Sequence, residues 1–317
     1  MSISSFLKLV EIRTKVASVI PFVLGTLYAL NRFNSFNVRN FILMFISLIT
    51  IDMATTTINN YYDHKRANKT QGYNYEIHNP IVKDNLRQAR VIGLILLLIA
   101  LAVTSGLALF LNTNIVVLLL GAISFSVGIL YSAGSIPISR TPLGECFSGI
   151  FMGFVIVFIS VYIHIYDQDI VNLIYGNGIL SVSVDILEIF YIFLFSIPTI
   201  NSIANIMLAN NICDMEDDIE NKRYTLPIYV GKEKALKIFK ILYYFIYFDI
   251  IILVILRIVP IISLVVFITI LPVERNVRTF YYKQSKKDTF VLAVKNFMII
   301  NVVNIISLGV ATIIARN

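Results

Sequence analysis

The sequence predicts an all-α polytopic membrane protein: a bundle of about nine transmembrane helices with its N-terminus in the cytoplasm. Three observations predict it. Hydrophobic residues make up 57% of the chain and charged residues only 14%, whereas a soluble domain has roughly 45–50% and about 25%. Mean hydropathy is +0.81. Apolar runs near the roughly 20 residues that cross a bilayer core recur along all 317 positions. With so many spans, one integral domain covering 1–317 is expected.

In chain order the runs fall at about 16–32, 40–60, 89–111, 115–133, 145–165, 183–212, 234–255, 258–274 and 289–314. Arg257 and Pro260 divide the seventh from the eighth. The segment Phe6 to Lys15 is expected to lie along the membrane surface before the first span, and no secretory signal peptide is apparent there. Cys146 and Cys213 lie in or beside apolar runs and carry no metal-type spacing. Gly149 and Gly153 form a Gly-x-x-x-Gly suited to helix packing.

Charge fixes the orientation. With the N-terminus inside, the cytoplasmic segments and their flanks hold twenty Lys and Arg residues and the outer ones hold four. Positive residues accumulate on the cytoplasmic side.

Two polar clusters fall on that same face. The first is Asn59-Asn60-Tyr61-Tyr62-Asp63, trailed by Lys65, Arg66 and Lys69; the second is Asn210-Asn211-Ile212-Cys213-Asp214, running through Asp218 to Lys222 and Arg223. Both read Asn-Asn-x-x-Asp at the end of an apolar run, 151 positions apart, and suggest a pseudo-repeat. Asn211, Asp214 and Asp218 follow i, i+3, i+7 spacing, so on a continuous helix they share a face. Facing one another, the two clusters would form a single charged pocket.

Carboxylates and amides suit a hard cation such as Mg²⁺, which takes oxygen ligands and often shares them with phosphates. Carboxylates alone would repel a phosphate, and basic groups alone would need no carboxylates. Together they suit a magnesium-bridged diphosphate, while the apolar bundle houses a long lipid tail. That combination describes a polyprenyl diphosphate.

On these motifs the chain resembles the UbiA-type intramembrane prenyltransferases over nearly its whole length. The family patterns Asn-Asp-x-x-Asp and Asp-x-x-x-Asp match Asn59-Asn60-x-x-Asp63 and Asp214-x-x-x-Asp218. Two departures stand out. Asn60 replaces the family's Asp, and the later Asp of the first motif is Lys69 or absent. Within the superfamily the chain is most similar to the 1,4-dihydroxy-2-naphthoate polyprenyltransferase branch of menaquinone biosynthesis. Asn59 to Arg66, Ala209 to Asp214, Lys222 to Leu226, Tyr131-x-x-Gly134-x-x-Pro137, Leu143-Gly144-Glu145, and Arg13 to Pro21 carry that similarity.

The resemblance implies a multi-pass enzyme of the cell membrane with a cytoplasmic active site. Mg²⁺ would be its cofactor, and polyprenyl diphosphate and 1,4-dihydroxy-2-naphthoate its substrates, with loss of carbon dioxide. It implies Asp63, Asp214 and Asp218 as metal ligands, and Lys69, Lys222 and Arg223 as diphosphate contacts. Asn59, Asn60 and Asn211 would orient metal or phosphate, and Tyr131 would line the pocket.

Plainer readings stand beside these. Lys83, Arg87 and the basic run at 283–287 read as topology determinants and anionic-lipid contacts. Asp52, about two turns before Asn59, is either a pocket residue or a satisfied internal polar group. The alternatives to the naphthoate reading are a UbiA-type enzyme acting on 4-hydroxybenzoate or another acceptor, and a secondary transporter. Transporters also have related halves, but their polar groups gather near the midplane.

Overall fold

A computed structural model describes residues 1–66, 79–132 and 137–316, with the side chains of Asp63, Arg66 and Ser132 left undescribed. The chain is overwhelmingly helical and forms two compact units, one of residues 1–19 and 38–137, the other of 20–37 and 138–317. It is a multi-pass membrane protein. Among the described residues seven helices are long and apolar enough to cross a membrane: Ile12–Arg32, Val38–Tyr62, Gln88–Asn112, Gly144–Ile165, Ile186–Cys213, Lys232–Ile255 and Phe290–Arg316.

The other two expected spans are built differently. Ile115–Tyr131 is apolar but shorter. The run at 258–274 is divided between a 3-10 helix, Ile261–Thr269, and an amphipathic α-helix, Ile270–Tyr282. Arg257 and Pro260 do mark the break. Arg257 takes the left-handed conformation at φ 56°, and the N–H of Ile258 returns to the carbonyl of Leu253 at 2.9 Å. This satisfies the last carbonyls of the preceding helix, and Pro260 then blocks its continuation.

In the first unit the dominant element is the 29-residue helix Val38–Arg66. At 1.5 Å per residue it is about 44 Å long. That is enough to cross a core of roughly 30 Å and still carry Asn59–Asp63 past its edge. It packs along Gln88–Asn112, where Ser47 Oγ donates to the Ala102 carbonyl at 2.9 Å. The N-terminal segment closes over its end, with Leu9, Ile81 and Val91 forming a small buried cluster against which Tyr61 packs.

In the second unit Gly149 and Gly153 lie where the apolar run widens into a π-helical stretch, Gly149–Val155. They form a contact seam with the helix Ile186–Cys213. A Cβ on Gly153 would fall 2.6 Å from the backbone of Ile200, and one on Gly149 would fall 2.9 Å from the Ile200 carbonyl oxygen. The main core lies below the second polar cluster and includes Leu208, Ala209, Ile212, Phe239, Tyr243 and Phe280. Buried amides tie neighbouring helices together: Asn205 Nδ2 donates to Phe239 O at 3.0 Å and Asn301 Nδ2 to Ser202 Oγ at 3.1 Å. Within a bilayer, such bonds between helices replace those water would supply.

One element departs from the all-helical expectation. Val171–Gly176 and Ile179–Val184 form an antiparallel hairpin, so residues 183 and 184 belong to a strand rather than to the sixth span. Its two-residue turn is Asn177-Gly178, with φ of 51° and 76°. Asn-Gly is favoured where both central residues need positive φ.

Candidate active site

The second motif is assembled by the way its helix ends. Ile186–Cys213 stops at Asp214, whose N–H bonds the Asn210 carbonyl at 3.1 Å, and a short helix, Met215–Glu220, begins beyond it. Asn211, Asp214 and Asp218 therefore do not share one unbroken helix, although the Asp218 N–H still reaches the Asp214 carbonyl at 2.7 Å. The short helix closes with paired bonds: Lys222 N–H to Ile219 O at 3.1 Å and Arg223 N–H to Asp218 O at 2.8 Å. This closure requires a left-handed residue just past the cap. Lys222 takes that position at φ 54° and remains exposed.

The closure carries Arg223 back beneath Asp218. Arg223 Nε lies 3.2 Å from Asp218 Oδ1, and Thr225 Oγ1 donates to Asp218 Oδ2 at 3.3 Å. Asp218 is only 3% exposed. Burial pushes its carboxyl above the usual range, and the Arg223 guanidinium opposes that rise. A second backbone tie, Tyr224 N–H to Arg140 O at 3.1 Å, holds this turn to the 138–140 segment.

Asn211 is fully buried and donates to Glu145 Oε1 at 2.8 Å. Glu145 is itself 4% exposed, and its Oε2 has no hydrogen-bond partner among the described residues. Glu145 is thus a buried partner of the second motif, a contact that the motif spacing does not show. The signal was present in Leu143-Gly144-Glu145, an acidic residue at the mouth of an apolar span.

Lys286 is the larger revision. Its Nζ donates to Asp214 Oδ2 at 2.5 Å and also to Asn210 Oδ1. A member of the basic run at 283–287, Lys286 is thus also an ion-pair partner of Asp214.

In the first motif, Asn59 is half-buried and Asn60 buried on the same helix. The Asn60 side-chain NH₂ donates to the Leu9 carbonyl at 3.0 Å and to Glu11 Oε1 at 3.3 Å. Asn79 Nδ2 donates in turn to the Asn60 carbonyl at 2.9 Å. An ionised carboxylate at position 60 could not donate either of these hydrogen bonds. Asp63 lies on the helix Val38–Arg66, with its side chain outside the described atoms, and Lys69 lies outside the described residues. Tyr131 is half-buried near the end of Ile115–Ser132.

Asp52 is a satisfied internal group. Lys15 Nζ donates to its Oδ1 at 2.6 Å and to Thr56 Oγ1 at 2.6 Å, and Ser18 Oγ donates to its Oδ2 at 2.5 Å. Lys15 is 3% exposed, so the pair neutralises two groups that would otherwise be costly in an apolar setting.

Among the described residues no three His, Cys, Asp or Glu side chains are gathered into a ready-made metal site. The chemistry of the second motif nevertheless fits Mg²⁺. Its donors are carboxylate and amide oxygens, and two of them, on Asp214 and Asn210, already face a cation in the form of Lys286.

Comparison with known proteins identifies relatives of the chain. The model of the UbiA prenyltransferase family matches residues 18–302. The chain is 32% identical over 225 residues to 1,4-dihydroxy-2-naphthoate octaprenyltransferase of Bacillus subtilis strain 168, a match covering 71% of this chain and 65% of that protein. The fold is similar to the apo structure of a UbiA homologue from Aeropyrum pernix K1, with TM-score 0.68, 18% identity, and 96% and 98% of the two chains covered. It is also similar to a UbiA homologue from Archaeoglobus fulgidus bound to GPP and Mg²⁺, with TM-score 0.67, 14% identity, and 97% and 99% covered.

Proposed function

The chain belongs to the UbiA prenyltransferase family, and from that premise we propose that it transfers a polyprenyl group from polyprenyl diphosphate to 1,4-dihydroxy-2-naphthoate. The ring carboxylate leaves as carbon dioxide, and the direct product is the prenylated hydroquinone, demethylmenaquinol. The observation that carries the choice of acceptor is the 32% identity to the Bacillus subtilis naphthoate octaprenyltransferase. Family membership removes the ground for a transporter.

Asp63, Asp214 and Asp218 are the residues that would hold Mg²⁺, with Asn59 and Asn211 orienting the polar groups around them. Bound there, the metal supplies positive charge opposite the departing diphosphate. Arg223 and Lys222 present guanidinium and ammonium donors to the phosphate oxygens, and Lys69 is assigned the same task from the first motif. The allylic carbon–oxygen bond breaks with its electron pair leaving on the diphosphate. A ring carbon then attacks the allylic cation, and loss of carbon dioxide returns the electron pair that restores the aromatic ring. No side chain needs to act as a covalent nucleophile, because positioning and charge stabilisation carry the step. Apolar helix faces take the prenyl tail. The basic bias of one set of loops supports a site opening to the cytoplasm in the cell membrane.

Membranes containing the protein, a polyprenyl diphosphate and Mg²⁺ test the acceptor by competition between 1,4-dihydroxy-2-naphthoate and 4-hydroxybenzoate. Demethylmenaquinol as the product, recovered as demethylmenaquinone after oxidation in air, supports the proposal. Prenylation of 4-hydroxybenzoate alone overturns the acceptor and leaves the family intact.

A further inference from the structure

Lys286 holds a carboxylate oxygen of Asp214, one of the residues that would hold the metal, and the side-chain carbonyl of Asn210 one turn earlier. Its Nζ bonds Asp214 Oδ2 at 2.5 Å and the side-chain carbonyl of Asn210. These partners lie 72 and 76 positions away in sequence, so the contact is made by the fold and not by local chain geometry.

The loop that presents Lys286 is built to fix its backbone. Lys283 Nζ pairs with Asp288 Oδ2 at 2.8 Å, the Ser285 N–H donates to Thr289 Oγ1 at 2.8 Å, and the Asp288 N–H donates to Ser285 Oγ at 3.2 Å. Thr289 is 4% exposed and anchors the turn ahead of the helix Phe290–Arg316. The Lys286 side chain itself is 49% exposed, and its ammonium lies 5.2 Å from the centroid of the Phe290 ring. An exposed ammonium on a flexible four-carbon stem holds its partner weakly and can move without moving the loop.

Arg223 offers the contrast. It pairs with Asp218, a side chain only 4% exposed, and its backbone is locked by the closure at 219–223. Of the two cations paired with the motif's aspartates, Arg223 is fixed and Lys286 is movable.

We propose that Lys286 is a displaceable counter-cation of this site: it neutralises Asp214 until a divalent metal takes the carboxylate, and it then turns its ammonium onto the diphosphate. The proposal rests on the magnesium–diphosphate reading given above. It makes Lys286 a competitor of the metal in the absence of diphosphate and a ligand of the diphosphate in its presence. A merely structural surface pair would compete with the metal but would not bind the diphosphate.

The test measures Mn²⁺ binding to the purified full-length protein by electron paramagnetic resonance, with and without a geranyl thiolodiphosphate analogue. Lys286→Met is expected to raise Mn²⁺ affinity about fivefold without the analogue, the competition an exposed ion pair exerts. With metal saturating, the same variant is expected to bind the analogue about tenfold more weakly. Lys286→Arg, which keeps the charge and can grip Asp214 with two N–H groups, is expected to lower Mn²⁺ affinity. Unchanged Mn²⁺ and analogue affinities in Lys286→Met, with binding that Asp214→Asn abolishes, would overturn the role of Lys286 alone. Absence of any Asp214-dependent Mn²⁺ binding in the wild type would overturn the metal reading, and the proposal with it.

Discussion

Asn211 and Glu145 meet across 2.8 Å in full burial, sixty-six positions apart, and this bond joins the second motif to the start of the span at Gly144. Removing the acceptor strands a buried amide donor. Glu145→Ala is therefore expected to lose about 1–3 kcal/mol of stability together with prenyl transfer, whereas Glu145→Gln retains an acceptor oxygen and loses less of both. Thermal unfolding in detergent alongside turnover measures the difference. Equal stability of Glu145→Ala and wild type would contradict the role assigned to the bond.

Restoring the family's Asp at position 60 should weaken the protein. Asn60→Asp exchanges a donor for an acceptor against the Leu9 carbonyl and sets a carboxylate near Glu11. The expected cost is about 1–3 kcal/mol. Denaturant or thermal unfolding decides it, and a more stable Asn60→Asp would show that the amide is not holding the N-terminal segment.

The adjacent basic residues Lys222 and Arg223 should separate on mutation. Lys222 occupies a left-handed position, so Lys222→Gly is expected to gain up to about 1 kcal/mol in stability while weakening diphosphate binding severalfold. Arg223→Ala leaves the Asp218 carboxylate buried without its guanidinium, at about 2–3 kcal/mol. Measuring both melting temperature and the KM for polyprenyl diphosphate distinguishes them. If both variants only raise KM, the structural account of Arg223 fails.

Gly153→Ala should be severe for so small a change. Its new methyl group would meet the Ile200 backbone at 2.6 Å, and overpacking of this kind costs about 1–3 kcal/mol. Gly121, whose Cβ would meet nothing within 4 Å, is the control, and Gly121→Ala is expected to unfold like the wild type.

Much of this was legible in the residues. Long apolar runs gave the helices because composition alone distinguishes a bilayer core from water. The second motif could be located because Asp214 and Asp218 end an otherwise apolar segment. What escaped depended on contacts across the fold. Lys286 looks in sequence like any loop lysine, and only folding brings it onto Asp214. Asn60 stands in the sequence only as a departure from the family's Asp, because its partners, Leu9 and Glu11, lie about fifty residues earlier. The hairpin at 171–184 did have a local cue in Asn177-Gly178, which was overshadowed by the apolar runs on either side. The break of the 258–274 run into two helix types had its cue in Pro260, but nothing there specifies a 3-10 helix of nine residues.

Prenyl transfer as proposed depends on Asp214, on a divalent metal and on departure of the naphthoate carboxylate. Carboxyl-labelled 1,4-dihydroxy-2-naphthoate, supplied with polyprenyl diphosphate to membranes containing the protein, tests it most directly. Labelled carbon dioxide and demethylmenaquinol, recovered as its air-oxidised quinone, are expected to appear in equal amounts, to require Mg²⁺, and to vanish in folded Asp214→Ala. Prenylated product that retains the label, or product formation untouched by Asp214→Ala, would contradict it.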